Sequence, residues 1–177
     1  MMSKQKKVIV SLTSFPAAIP YAKVAIKSIL VGNTLPDKVV LYLTFSQFKD
    51  SKIPSELMTL ANNNPLFEIR NYNEDIRSYR KLIPALKDFP NDIIVTIDDD
   101  VRYHKNMLRD LLHLHKQIPE VIIANRAKKI KLNAPYRQWK KYRWYHFFTN
   151  RLNFSFKNIQ TGVGGVLYPP NSLNQEM

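Results

Sequence analysis

The sequence predicts an α/β fold with a central, mostly parallel sheet flanked by helices. Two observations support this prediction. Short runs of apolar, β-branched residues alternate along the chain with longer segments whose apolar residues recur at helical spacing. The links between these segments are short, and no internal repeat or low-complexity tract interrupts the pattern. Alternation of this kind is typical of doubly wound, Rossmann-like sheets.

The predicted elements follow one another in a regular order. Strands are predicted where β-prone residues cluster, at 8–12, 39–43, 66–72, 93–97 and 121–124. Helices are predicted between them, at 21–31, 54–62, 78–89 and 105–117. Gly32 closes the first helix, and Pro84 must lie early in the third helix or kink it. No element is predicted at 127–156, and a glycine-rich turn followed by a strand is predicted at 162–168.

The composition indicates a single globular domain of 177 residues with a core of its own. The chain has no cysteine, which excludes a disulfide framework, a thiolate metal site and a cysteine nucleophile. Its basic start resembles a signal peptide, but Ser11, Thr13 and Pro16 break the apolar run that follows, so we predict a strand there. No stretch approaches the length of a transmembrane helix, and a reducing cytoplasmic location fits this composition.

The net charge of +13 is concentrated in the last third of the chain. Residues 1–120 contain 17 basic and 13 acidic side chains, whereas residues 121–175 contain ten basic side chains and no acidic one. This imbalance predicts an anionic partner: a phosphate-bearing ligand, lipid headgroups or nucleic acid. Within it, residues 137–156 interleave aromatic and basic side chains. Such a stretch fits an anionic membrane surface, stacking on bases or sugars, or a core-packing segment with a basic edge.

Three adjacent carboxylates, Asp98, Asp99 and Asp100, follow the predicted strand at 93–97. Adjacent anions at the end of a buried strand repel one another and are costly to desolvate, and a hard divalent cation offsets that cost. Ligands of open α/β sheets bind at the carboxyl ends of the strands, where these residues are expected. Strand alternation predicts that Asp98 and Asp100 share a face and that Asp99 points the other way. A solvated acidic turn or a helix N-cap is the alternative.

A basic cluster opens the predicted third helix, directly before the aspartate-bearing strand. Ser78 is a plausible N-cap, and Arg77 and Lys81 are four residues apart, so both can face one anion near a helix N-terminus. A phosphate held between Lys81 and a cation on the aspartates is sterically reasonable. The alternative is a solvated basic face that forms salt bridges with Glu74 and Asp75.

Three of the four glycines lie in the short segment 161–165. No helix and no third spaced glycine follow, so we reject a dinucleotide-binding fingerprint, and no Walker-type phosphate loop is present. Glycine permits a backbone to approach a ligand closely, and a bulge or hairpin corner explains the same residues. A substrate-facing turn and a structural corner therefore both remain open.

Taken in order, these motifs resemble those of GT-A-type glycosyltransferases, specifically bacterial enzymes of surface-polysaccharide synthesis. The resemblance rests on five stretches, which read VIVSLTSFP at 8–16, PDKVVLYL at 36–43, SYRKL at 78–82, TIDDDV at 96–101 and GVGGVLYPP at 162–170. It implies a Rossmann-like GT-A fold with one domain at 1–177. Residues 1–101 would form its nucleotide-binding half and residues 102–177 a partial acceptor-side half.

The resemblance also implies a nucleotide-sugar donor, with a UDP-sugar favoured, and Mn²⁺ or Mg²⁺ held by Asp98 and Asp100 as an Asp-x-Asp motif. Asp100 would bind the metal most directly, and Asp98 would contact the ribose or a metal-bound water. Lys81 would approach the ribose or the phosphates. The other donor-binding residues that it implies are Thr13, Ser14 and Pro16 beside the base and ribose, Asp75 or Glu74 on the base, Arg77, Asp99, and Gly164 and Gly165 beside the sugar or acceptor.

The implied activity is transfer of a sugar to a glycan or lipid-linked acceptor by a cytoplasmic enzyme. The aromatic and basic stretch at 137–156, where it contacts a membrane, would place such an enzyme on the inner membrane face. In this family the base of an inverting enzyme usually follows the segment matched by 162–168. No catalytic base is therefore assigned, and the chain is expected to be C-terminally short. The alternatives are a basic nucleic-acid-binding or phosphoryl-transfer protein, although nucleic acid is not the favoured partner, and an inactive truncated domain that binds donor.

Overall fold

The computed structural model describes residues 6–141 and 157–173. Their main sheet has six strands, which are β1 (Val8–Thr13), β2 (Lys38–Leu43), β3 (Phe67–Asn71), β4 (Ile93–Thr96), β5 (Ile123–Ala124) and β9 (Val166–Tyr168). Their order across the sheet is β3-β2-β1-β4-β9-β5. The first four pair in parallel, and β9 runs antiparallel to both β4 and β5. The mixed, mostly parallel sheet that the sequence predicts is confirmed.

Four α-helices cover the two faces of this sheet in the described residues. They are α1 (Ile19–Leu30), α2 (Ser55–Asn63), α3 (Ile83–Asp88) and α4 (Met107–Gln117). Alternate side chains of the central strands enter two separate apolar clusters. Val10 and Leu41 pack with buried residues of α1, α2 and α4, whereas Ile9 and Val40 pack on the opposite face with Ala85 of α3. Burial on both faces explains why these strands are continuously apolar in sequence.

The predicted helix at 78–89 is wrong as a single element. The chain instead forms a 3-10 helix at Arg77–Lys81 and begins α3 at Ile83 with Pro84 in its first turn. Proline lacks the N–H that a continuous helix needs and its ring clashes with the preceding turn, so a helix can start at Pro84 but cannot run through it. Ser78 does not cap this element, because the 3-10 helix begins one residue earlier and has no side-chain cap.

A second, three-stranded sheet lies where the sequence predicts no element. Its strands are β6 (Ala127–Lys129), β7 (Lys140–Lys141) and β8 (Asn158–Gln160), in the order β7-β6-β8 with antiparallel pairing. Most of the 137–156 stretch predicted to contact a membrane lies outside the described residues. Among the described helices, none is long and apolar enough to cross a membrane.

Candidate functional site

The aspartate turn lies at the carboxyl end of the central strands. β4 ends at Thr96, and the backbone N–H of Ile97 donates to the carbonyl of Ser11 on β1 at 3.0 Å. The three carboxylates follow in a turn, so strand alternation no longer determines where they point. All three line one small cavity of about 260 Å³, whose described lining residues are Thr13, Ser78, Lys81, Ile97, Asp98, Asp99 and Asp100.

Asp98 is held from three sides. Its carboxylate is ion-paired with the ammonium of Lys81, and its backbone N–H donates to the Tyr103 hydroxyl at 2.8 Å. Its carboxylate also packs directly against Gly162, which leaves no room for a Cβ atom there. The Tyr103 hydroxyl lies 3.5 Å from the carbonyl of Gly162 and donates to it, so the same phenol joins the aspartate turn to the glycine turn.

Tyr103 is almost fully buried, with 6% of its surface exposed. Its backbone N–H donates to the hydroxyl of Ser28 on α1 at 3.0 Å. Burial raises the pKa of the Tyr103 phenol, so at neutral pH it remains a neutral group that can both donate and accept. Sequence reasoning missed Tyr103, and it placed Gly162 in the glycine-rich turn without a contact to the aspartates, because both roles depend on contacts between segments that are distant in the chain.

Asp99 faces the start of the loop after β1. The hydroxyl of Ser14, which is buried, donates to the Asp99 carboxylate at 2.5 Å. Burial is the main cause that raises the pKa of Asp99, and the charges of Asp100 and Asp98 raise it further against the opposing effect of the Ser14 hydrogen bond. Asp99 therefore has a different hydrogen-bond partner from Asp98, although both line the same cavity.

Asp100 is the exposed member of the three. Within the described part of the chain, no group of three His, Asp or Glu side chains is arranged to hold a metal ion by itself. Carboxylate oxygens nevertheless suit Mg²⁺ or Mn²⁺, and Mg²⁺ is commonly held by one or two carboxylates together with substrate phosphates and water. Asp98 and Asp100 are two carboxylates on the lining of one cavity.

Lys81 and Ser78 face the cavity, and the 3-10 helix that carries them is fixed to β1. The Ser11 hydroxyl donates to the backbone carbonyl of Lys81 at 2.6 Å. Arg77 and Asp75 are not among the residues that line the cavity. The Arg77 backbone instead adopts a left-handed conformation, with φ of 49°, and its N–H donates to the Asp75 carboxylate at 3.4 Å.

Arg80, on the same short helix, is only 4% exposed and lies 3.5 Å from the carboxylate of Asp75. An ion pair with a neighbouring acid therefore exists at Arg80, whereas Lys81 pairs with Asp98 and Arg77 is exposed. The local sequence does not distinguish Arg80 from the adjacent basic residues, because its burial depends on how this segment packs in the folded chain.

Thr13, Ser14 and Pro16, at and after the end of β1, differ in how they are placed relative to the aspartates. Thr13 lines the cavity and its hydroxyl donates to the carbonyl of Tyr42 at 2.8 Å. Pro16 is exposed and begins a 3-10 turn, Pro16–Ala18, directly before α1. Thr13 and Ser14 are thus placed together with the aspartates, whereas Pro16 lies beyond the described lining of the cavity.

In the glycine turn, Gly162 is the glycine that contacts the aspartate turn. Gly162 packs against Asp98, whereas a Cβ at Gly164 would meet Arg126 and one at Gly165 would meet Met107. Gly165 has φ of +83°, a left-handed backbone that favours glycine. Its conformation lets the chain turn into β9, which supports the structural reading of this residue.

Comparison with known proteins defines the fold class. No protein-family model matches the sequence, and no curated protein matches it at a significant level. Among solved structures, one similar to this chain is a mannosyltransferase from Pyrobaculum calidifontis in complex with GDP-Man and Mn²⁺, with a TM-score of 0.55 and 17% identity. The match covers 69% of this chain and 36% of that one, so it spans about a third of the mannosyltransferase.

A second similar structure is 4-diphosphocytidyl-2C-methyl-D-erythritol synthase, with a TM-score of 0.54 and 10% identity. This match covers 95% of the present chain and 77% of the synthase. At these identities the two likenesses establish the fold. The chain is a mixed α/β protein with a Rossmann-like, glycosyltransferase-type fold, built on a mostly parallel sheet flanked by helices.

Proposed function

We propose that this chain binds a nucleotide-diphosphate sugar together with a divalent cation and serves in transfer of the sugar to a glycan or lipid-linked acceptor. The observation that supports the proposal most directly is the cavity at the carboxyl end of β1 and β4. There, one ammonium group and three carboxylates surround a space of about 260 Å³. Ligands of open α/β sheets bind at this edge.

Because the cavity contains both an ammonium group and carboxylates, it favours a ligand that carries both negative and positive charge. Lys81 offers a cation for a phosphate oxygen, but it is now ion-paired with Asp98. A diphosphate with a bound cation would satisfy both groups, because the phosphate takes the ammonium and the cation takes the carboxylate. A nucleotide alone would leave Asp98 facing a polyanion, which is electrostatically unfavourable.

In this proposal Asp98 and Asp100 hold the cation. When bound, it would supply positive charge that stabilises the diphosphate leaving group. Lys81 would orient the same phosphates, and Ser14 would keep Asp99 turned toward the loop after β1. Thr13 and Pro16 would border the base and ribose. Tyr103 and Gly162 would position Asp98 rather than touch the donor.

The finer features remain part of the proposal. Residues 1–101 would supply the donor site and residues 102–177 part of the acceptor side, with Gly164 and Gly165 near the sugar or acceptor. Asp75 or Glu74 and Arg77 would need to move toward the cavity to contact the base. We propose Mn²⁺ or Mg²⁺ as the cation and a UDP-sugar as the donor, with contact to the inner membrane face through 137–156.

Calorimetry with nucleoside diphosphates in the presence and absence of Mn²⁺ tests the proposal. The wild-type chain should bind a nucleoside diphosphate in a manner that needs the metal, and Asp100→Ala should weaken this binding by roughly 10- to 100-fold. Asp110→Ala is the matched control, since Asp110 is an exposed aspartate on α4 that lies outside the cavity lining. Equal binding by Asp100→Ala, or binding that ignores the metal, would contradict the proposal.

Two other outcomes would identify the alternatives. Tight, steeply salt-dependent binding to RNA or DNA, without affinity for nucleoside diphosphates, would indicate a nucleic-acid-binding protein that uses the basic last third. Metal-dependent donor binding without turnover, in the presence of acceptor glycans or lipids, would indicate a donor-binding domain that does not complete transfer alone.

A further inference from the structure

The outer edge of β3 is unpaired in the described part of the chain. β3 ends the six-stranded sheet, and only β2 pairs with it. Two backbone hydrogen bonds at the ends of the β2–β3 ladder determine which β3 residues point toward β2. The Val39 N–H donates to the Leu66 carbonyl at 2.6 Å, and the Tyr72 N–H donates to the Leu43 carbonyl at 2.8 Å. Alternation along the ladder then directs the N–H and C=O of Ile69 away from β2.

An edge strand with free backbone N–H and C=O groups can pair with another strand unless features of its sequence, such as proline or charged side chains, disfavour the pairing. β3 reads FEIRN over Phe67–Asn71, and it contains no proline. Its two charges have opposite sign and lie one residue before and one residue after Ile69. The strand is therefore complementary to itself when two copies run antiparallel with Ile69 opposite Ile69.

We propose that this edge is an interface between two copies of the chain, which pair antiparallel about Ile69 and join their sheets into one. In this register Ile69 of each copy forms a hydrogen-bonded pair with its counterpart, because its backbone groups already point outward. Glu68 of one copy then stands opposite Arg70 of the other, and opposite charges directly across an antiparallel pair are stabilising.

The two faces of the joint also match. On one face Glu68 and Arg70 lie beside α3. Within the chain Glu68 is ion-paired with Arg70 and with Lys38, and Arg70 also contacts Asp88 at 2.6 Å and stacks over the Phe89 ring. On the other face an open groove of about 830 Å³ runs between α2 and the edge. Its apolar lining residues are Phe45, Ile53, Met58, Ala61, Phe67 and Ile69. A second copy would place its own Ile69 beside this groove.

The groove and the unpaired edge of β3 together favour pairing with a second copy of this chain over pairing with a strand of another protein. The rotation that pairs the two edges brings each copy's α2 to the same face of the joined sheet, and the exposed Met58 of α2 lines the groove beside Ile69. The joint buries apolar surface on one face and places opposite charges across from each other on the other face, which is the composition of a symmetric interface. This inference is independent of the proposed donor site.

Analytical ultracentrifugation of the full chain tests the interface first. The wild type should sediment at twice its 20.7 kDa monomer mass as concentration rises, whereas Ile69→Lys should sediment as a monomer. Two lysines would then face each other on the axis, where like charges repel. Leu35→Lys is the matched control, because Leu35 is an exposed leucine outside the edge, and it should remain dimeric. A monomeric wild type, or a dimeric Ile69→Lys, would overturn the proposal.

Single cysteine variants test the register, since the chain has no cysteine of its own. A hydrogen-bonded antiparallel pair has Cα atoms about 5.5 Å apart, which suits a disulfide. Ile69→Cys should therefore form a covalent dimer on mild oxidation. Asn71→Cys lies on the same edge, but its counterpart would be about 13 Å away, so it should stay monomeric on a denaturing gel. Failure of Ile69→Cys to cross-link, or equal cross-linking by both variants, would reject the register and with it the proposal.

Discussion

The carboxylate of Asp98 occupies the space that a Cβ atom at position 162 would need. A Cβ built on Gly162 would lie 2.8 Å from Cγ of Asp98 and closer still to both carboxylate oxygens. Non-bonded carbon atoms normally stay about 3.5–4.0 Å apart, so a larger residue at position 162 cannot coexist with this placement of Asp98. The glycine turn thereby fixes where the first aspartate of the triplet can lie.

Gly162→Ala is expected to impair the donor site while the fold persists. The displaced atoms belong to a side chain, so Asp98 can swing away from Lys81 without a shift of the backbone. We expect metal-dependent affinity for a nucleoside diphosphate to fall about tenfold, which corresponds to 1.4 kcal/mol. Calorimetry measures this loss. Gly32→Ala, which lies outside the cavity lining, should bind as the wild type does, and undiminished binding by Gly162→Ala would refute the positioning role.

Tyr103→Phe is expected to destabilise the aspartate turn, because the turn loses its hydrogen bond to the Tyr103 hydroxyl. The change removes the hydroxyl that accepts the Asp98 N–H and donates to the Gly162 carbonyl, and it leaves a partly buried N–H unpaired. The free energy of unfolding should fall by about 1–3 kcal/mol in a urea titration, and nucleotide affinity should fall with it. Tyr21→Phe, at a tyrosine that is 63% exposed, is the control and should change neither quantity.

The stability of the fold should also respond to acid through His115 on α4. Burial lowers the pKa of this half-buried imidazole below its ordinary value of 6.5, and the charge of Lys6 adds to the effect. Because the folded state disfavours the charged form, His115 gives stability that is present above pH 6.5 and is lost as pH falls through the folded-state pKa.

His115→Leu should therefore raise the melting temperature relative to the wild type, and the gain should grow as pH falls below 6.5. Thermal denaturation over a pH series measures it. His113→Leu is the matched control on the same helix, since His113 is exposed and contacts Gln117 at 3.0 Å. A gain for His115→Leu that does not depend on pH would mean that apolar packing, not the charge of the imidazole, causes it.

Most of the fold could be predicted from the sequence, because hydrophobic periodicity is a local property. The five strands predicted up to residue 124 and three of the four helices lie where expected, apart from shifts of a few residues at their ends. The exceptions have physical causes. Pro84 divides the third helix, and the small sheet at Ala127–Lys129 is formed by pairing with Asn158–Gln160, which no local pattern reveals.

The candidate site was predictable only in part. Asp98 could be singled out because a carboxylate directly after a buried strand is costly to desolvate. Lys81 could be singled out from the basic cluster before that strand, and the structure brings the two side chains together. The supporting residues were not predictable, because glycine and tyrosine are common in turns and cores. Gly162 and Tyr103 acquire their roles only when the β9 turn folds back beside β4.

Lys81 provides the last prediction, because it competes with a cation for Asp98. Its ammonium is ion-paired with that carboxylate, so a cation that binds alone must displace it. A phosphate would instead draw the ammonium away and leave the carboxylate free for the metal. Lys81→Met keeps much of the side-chain length and removes the charge. It is expected to bind Mn²⁺ alone more tightly than the wild type, yet to bind a nucleoside diphosphate with Mn²⁺ about tenfold more weakly.

Two titrations separate these opposite effects: Mn²⁺ alone, and nucleoside diphosphate at saturating Mn²⁺. Lys87→Met is the control, because Lys87 lies on α3 outside the cavity lining and should change neither affinity. If Lys81→Met weakened both affinities equally, the lysine would act by supporting the fold of the cavity. If it weakened neither, Lys81 would have no part in binding. Opposite signs would show that the lysine moves between Asp98 and the phosphates.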